Sequence, residues 1–189
     1  MSVFLFINLF TNKKSFMITA VGIKKLFYGA TSLITADLTK EGLLDIINDV
    51  ELKEVTNVHQ DTWSLEEAEP SKTGYKNQLT GNTYREDVDM GDVTMNFTIG
   101  EYDHRTKADL MGGTATASSW KRSRGKVKIE KMFIALTEDD QYVVFPRASV
   151  IGRESNTDGA VGLAVAATAL EPTNVNVMSE YWFDMSLTD

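Results

Sequence analysis

Near its C-terminal end the chain carries two apolar, strand-like runs, Val161–Leu170 and Val177–Leu187, set either side of a turn around Glu171-Pro172-Thr173-Asn174. Runs rich in β-branched and aromatic residues, bounded by proline and asparagine, read as paired strands. This ending constrains the fold more than any other stretch, because a strand pair with an apolar face must pack against a further layer. The expectation is a closing strand pair in a mainly β protein.

Other segments agree. Val93, Met95, Phe97 and Ile99 alternate with Thr94, Asn96 and Thr98, the period of a half-buried strand. Leu52–Asn57 and Thr62–Glu67 read as strands with weaker contrast. Val127–Leu136 reads as a strand whose second half is apolar on both faces. Glu138-Asp139-Asp140 is a turn, and Tyr142–Phe145 returns as the hairpin partner. Asn156–Gly159 is a second turn. Helical spacing of Leu43, Leu44, Ile46, Ile47 and Val50, with Asp37 or Thr39 as cap, predicts one helix. Asp103 can cap a short second helix, His104–Met111, stopped by Gly112 and Gly113. The fold class expected is a β-sandwich or barrel with one flanking helix, a second short helix and a long projecting loop.

That loop is Glu66–Asp92, polar and broken by Pro70, Gly74, Gly81 and Gly91. Connections of this length inside a compact domain are usually functional or mobile. Its Tyr75, Leu79 and Tyr84 either fold back on the parent domain or give a projecting hairpin something to bury on a partner. Residues 18–189 read as one domain. Residues 1–17 are an apolar arm for a neighbouring subunit or a start-site extension ahead of Met17. In this segment the apolar patch Val3–Phe10 precedes Lys13 and Lys14, the reverse of the order a secretory signal requires.

The composition narrows the chemistry. With 42% apolar residues the chain can fill a core, and a net charge of −8 disfavours nucleic acid and anionic lipid as partners. The absence of cysteine removes disulfides, thiolate catalysis and sulfur-ligated zinc. No run of about 18 apolar residues is present, so no membrane partner is expected. Ser118-Ser119-Trp120-Lys121 and Lys72-Thr73-Gly74 mimic serine penicillin-recognising motifs, but in reversed order and without the Ser-Asp-Asn element. Asp87-x-Asp89-x-Gly91-Asp92 mimics a calcium loop, yet glycine falls at the fifth position and Thr98 where a bidentate glutamate belongs. His59 and His104 lack a second histidine at metal spacing, and a pairing of His59 with Asp61 would be ordinary surface chemistry. No catalytic residue, cofactor site or metal site is assigned, and the chain is not expected to be an enzyme.

Charge is segregated instead. Asp61–Asp103 holds ten acidic residues against three basic ones, whereas Trp120–Lys131 holds Lys121, Arg122, Arg124, Lys126, Lys128 and Lys131 against Glu130 alone. Solvated strand faces, nucleic-acid binding, and an acidic surface of one subunit meeting the basic surface of the next all fit such a split.

The opening Ile23-Lys24-Lys25-Leu26-Phe27-Tyr28-Gly29, the Glu69-Pro70 entry to the long loop, and the endings Ala167–Pro172 and Tyr181-Trp182-Phe183-Asp184 together resemble the tail tube (major tail) proteins of long-tailed bacteriophages. The resemblance is one of layout, over roughly Thr19–Asp184. It implies a β-sandwich subunit closing into hexameric rings, which stack into a tube whose lumen passes DNA without specific binding. It implies an inter-ring loop, here carrying Glu69, Pro70, Tyr75, Leu79 and Tyr84, and the charge split above supplies a candidate basic interface of Lys121, Arg122, Arg124, Lys126 and Lys128. Implied partners are further copies of the chain and other tail proteins, such as tape measure and tail terminator. The implied location is the virion tail, assembled in the bacterial host cytoplasm. The alternative is a β-sandwich module binding carbohydrate or a host surface, with Trp63, Trp120, Tyr75 and Tyr84 as a stacking platform.

Overall fold

The structure, a computed structural model, describes residues 20–185 and is mainly β. The arm 1–17 and the final residues of the expected closing strand lie outside the described residues. In chain order the elements are β1 (Lys25–Gly29), a 3₁₀ turn (Thr31–Leu33), α1 (Lys40–Ile47), β2 (Lys53–Val55), β3 (Ser64–Glu67), β4 (Ser71–Lys76) and β5 (Thr83–Asp89). There follow β6 (Val93–Ile99), α2 (His104–Met111), β7 (Thr114–Ala115), β8 (Trp120–Lys121), β9 (Ile129–Leu136), β10 (Gln141–Thr157), β11 (Ala160–Ala169) and β12 (Tyr181–Asp184).

One antiparallel sheet organises the molecule, in the order β2-β1-β9-β10-β11-β6-β3, with β12 also on β10. Its two end strands are neighbours in sequence. After β2 pairs with β1, the chain crosses the mouth of the sheet. Val58 bridges Ile99, and the His59 amide donates to the Thr98 carbonyl at 2.8 Å; β3 then pairs with β6. Backbone hydrogen bonds from this connection to the end of β6 thus close the curled sheet into a barrel. Inside it Phe97 of β6 meets Phe133 of β9 edge-on at 5.8 Å, among Leu26, Met95, Val143 and Phe145. Leu110 of α2 is buried in the same core.

A second core covers the outer face of β1, β9 and the first part of β10. Phe27, Met132, Ile134, Tyr142 and Val144 pack there beneath Leu43 of α1 and Val177 of the C-terminal segment. Met132 to Ala135 are therefore all buried, which explains why β9 is apolar on both faces. Among the described residues the outer face of β10, β11 and β6 has no such cover, and Ile151 there is 67% exposed.

The closing segments depart from the sequence expectation. Val161–Leu170 and Val177–Leu187 do not pair with each other. β10 continues to Thr157, and Asp158-Gly159, both with positive φ (50° and 83°), turn it straight into β11. Such a two-residue turn matches the twist of the strands it joins. β12 pairs with Gln141–Val144, so β12 and β11 lie end to end along one edge of β10. Pro146 sits in the interval between them, where the β9–β10 register also shifts; a residue without an N–H is tolerated at such an irregularity.

The first helix is shorter than its periodicity suggests. Thr39 caps it, accepting from the Gly42 amide at 3.2 Å, but it stops at Ile47 and Val50 is 98% exposed. Asn48 Nδ2 donates to the Leu44 carbonyl, and the Asp49 carboxylate accepts from the Glu51 amide, so local side-chain bonds replace the next helical turn. The second helix follows expectation: Asp103 accepts from the Thr106 amide at 2.6 Å, and Gly112 ends it with φ 76°.

Candidate assembly surfaces

The expected loop Glu66–Asp92 is a hairpin for most of its length. β4 and β5 pair from Ser71↔Asp89 to Tyr75↔Arg85, with a register shift before Lys76↔Thr83. Both strands are polar on both faces, so the alternation that marks other strands in the sequence is missing here. The tip is built by Asn77, whose amide donates to Asn82 and whose side chain accepts from Leu79, and by Gly81 at φ 74°. Every residue of β4 is exposed. At about 3.3 Å per residue, six residues carry the tip roughly 20 Å from the root.

The five loop residues singled out by sequence all lie on this projection. Glu69 and Pro70 are exposed at its root. Leu79 at the tip is 94% exposed and Tyr84 is 70% exposed. Tyr75 is partly engaged, with the Arg85 guanidinium 5.5 Å from its ring centre and Arg85 Nε 2.9 Å from Asp87. Sequence reasoning missed Val88 and Met90, two further exposed apolar residues near the root. Their exposure depends on the hairpin leaving the body, which no local pattern declares.

The basic residues run from the end of β8, at Lys121, through the segment that precedes β9. Trp120 anchors its start: the indole N–H donates to the Gly112 carbonyl at 2.9 Å. The Lys107 ammonium stands 4.3 Å from the ring centre and the Arg122 guanidinium 5.3 Å. Both cations also reach Glu154, at 2.5 and 3.6 Å, and the hydrogen bond from Lys107 holds the Glu154 carboxyl below its usual range. Lys128 pairs with Glu130 at 2.6 Å. Lys121, Arg124 and Lys126 are exposed and have no ion-pair partner among the described residues. Of the basic set, Arg122 and Lys128 each share one carboxylate with a second cation, Lys107 at Glu154 and Arg147 at Glu130.

The basic segment starts at the far end of the sheet from the acidic root and runs back toward it: Lys128 holds Glu130, which lies level with Ser149, with Thr168 and so with Thr94 at the start of β6. The hairpin root follows Glu67, which pairs with Val93 at the start of β6. Arg122 is held at Glu154, which lies level with Leu163 and, through it, with Ile99 at the end of β6. The length of β6 from Val93 to Ile99 separates the two levels, about 20 Å.

The remaining motifs stay apart. Ser118–Lys121 forms the β7–β8 connection, while Lys72–Gly74 lies in β4 on the projecting hairpin. Asp87 of the calcium-like stretch is bound to Arg85, and the described residues contain no group of three side chains able to hold a metal ion. His59 faces Asp158 at 3.7 Å rather than Asp61. Trp63 packs against the inner core, Trp120 is clamped by its cations, and Tyr75 and Tyr84 ride on the hairpin. These four aromatics form no shared platform.

The described helices include none long and apolar enough to cross a membrane. A scan against models of known protein families finds no match, and a search of curated proteins finds no significant match.

Proposed function

We propose that this chain is a structural subunit of a phage or phage-like tail tube, assembling with copies of itself into stacked hexameric rings whose lumen passes DNA. The observation that carries this reading is the β4–β5 hairpin. An isolated two-stranded hairpin is marginal in water, yet this one leaves the body and keeps Leu79, Tyr84, Val88 and Met90 in solvent. Apolar side chains held out in this way call for a partner surface. A barrel with a well-filled core supports a structural role, and the acidic net charge suits a conduit to which phosphates must not adhere. On this reading the protein belongs to the virion tail, is assembled in the bacterial host cytoplasm, and meets tape measure and tail terminator proteins at the tube ends.

Negative-stain microscopy of the purified chain across a concentration series tests the proposal. Rings or tubes are expected. A protein that remains monomeric at high concentration overturns it, and monomeric protein that binds a glycan array would replace it with a surface-binding module.

A further inference from the structure

We propose that the root of the β4–β5 hairpin is one half of a self-recognition contact, and that its other half is the basic segment Lys121–Lys126 of a second copy. The inference rests on the self-assembly reading above and adds which surfaces meet.

Each half carries charge that has no ion-pair partner among the described residues. Within the hairpin, Glu86 is paired with Lys72 at 3.2 Å and Asp87 with Arg85. The carboxylates gathered at the root, Glu66, Glu67, Glu69, Asp89 and Asp92, are exposed and have no ion-pair partner among the described residues. On the other half the cations without such a partner are Lys121, Arg124 and Lys126, with Val127 exposed beside them. The apolar pieces of the contact are Val88 and Met90 on one side and Val127 on the other. Such an arrangement, opposite charge around a small apolar centre, steers encounter and fixes register.

Two arrangements satisfy both halves. In a two-fold contact each copy's root meets the other's basic segment at once; in a head-to-tail contact each copy keeps one free root and one free segment, and such contacts propagate until they close or continue as a filament. The ring reading above requires the head-to-tail arrangement. The second copy is therefore the occupant favoured by charge, and the chain's net charge of −8 disfavours nucleic acid on the same cations.

Two triple variants test the pairing by sedimentation velocity, with circular dichroism as the check on folding. One is Lys121→Glu/Arg124→Glu/Lys126→Glu, the other Glu67→Lys/Glu69→Lys/Asp89→Lys. All six positions are exposed. Each variant alone should need on the order of tenfold or more protein to assemble. An equimolar mixture should recover wild-type assembly, because the reversed root of one fits the reversed segment of the other. A chain carrying all six changes should assemble by itself. Should one triple variant misfold, the corresponding glutamine variant, which removes charge without reversing it, should still raise the concentration needed. Wild-type assembly with no loss in either variant, or loss without recovery in the mixture, overturns the pairing while leaving the tube reading intact. A wild-type chain that never assembles overturns both. Loss of binding to a short DNA duplex in the lysine-segment variant, with assembly unchanged, would assign those cations to nucleic acid instead.

Discussion

Phe97 lies at the meeting of the barrel's two walls, with its ring against Phe133 and almost none of its surface in water. Replacing it by alanine removes the ring and leaves a hole that neighbouring strands cannot collapse into. The expected cost is about 3–5 kcal/mol, read from urea unfolding. Glu130 makes a different kind of statement. Arg147 grips it through Nε and Nη2 at 2.9 and 3.0 Å, and together with Lys128 it holds the Glu130 carboxyl down to about 2. A carboxyl with a depressed folded-state value stabilises the fold above its ordinary value of 4.5. That stability is lost as pH falls from there toward about 2. Glu130→Gln should flatten this part of the acid-unfolding profile, and an unaltered profile would show that the pair contributes nothing. In the sequence Glu130 is only the exception in a basic run. Its partner is set by the β9–β10 register, which places Glu130 beside Ser149, and composition carries no trace of that.

Among the elements, the ones most legible in the sequence are those whose burial is one-sided. β6 shows its alternation because one face packs inward, and α2 shows its bounds because Asp103 and Gly112 act locally. β4 and β5 are invisible to the same reasoning, since neither face is buried and no apolar rhythm is imposed. The true extent of β10 is hidden for another reason: it changes partner at Pro146, and its second half has one face open to solvent. The hairpin's independence from the body gives a direct expectation. Replacing residues 71–89 by a short Gly-Ser turn should change unfolding free energy by less than about 1 kcal/mol, the range of surface changes away from packed features. The same replacement should abolish assembly seen by sedimentation. A large loss of stability would mean that the hairpin supports the barrel after all.

At the scale of the molecule, protection of backbone amides should be uneven. β9 and the first part of β10, paired on both edges and covered on both faces, should exchange hydrogen slowest; β4 and β5 should exchange fastest. In assembled protein the hairpin amides should slow markedly, and equal rates in monomer and assembly would argue against its having a partner. The fold class and both helices were legible because they follow from local period and capping. The closure of the barrel was not, because it depends on where a single connection crosses. The pairing of β1 with β9 sets Leu26 beside Ala135, with β2 waiting on the same strand for support. Closing so wide a loop before any reward arrives makes folding slow. On a ribosome, β1 with β2, β3 with β6 and β4 with β5 can pair early, but the strands β9, β10 and β11 that join these pieces into one sheet emerge last. The interval before β9 appears is when this chain is most exposed to misassembly, and when a chaperone would matter to its yield.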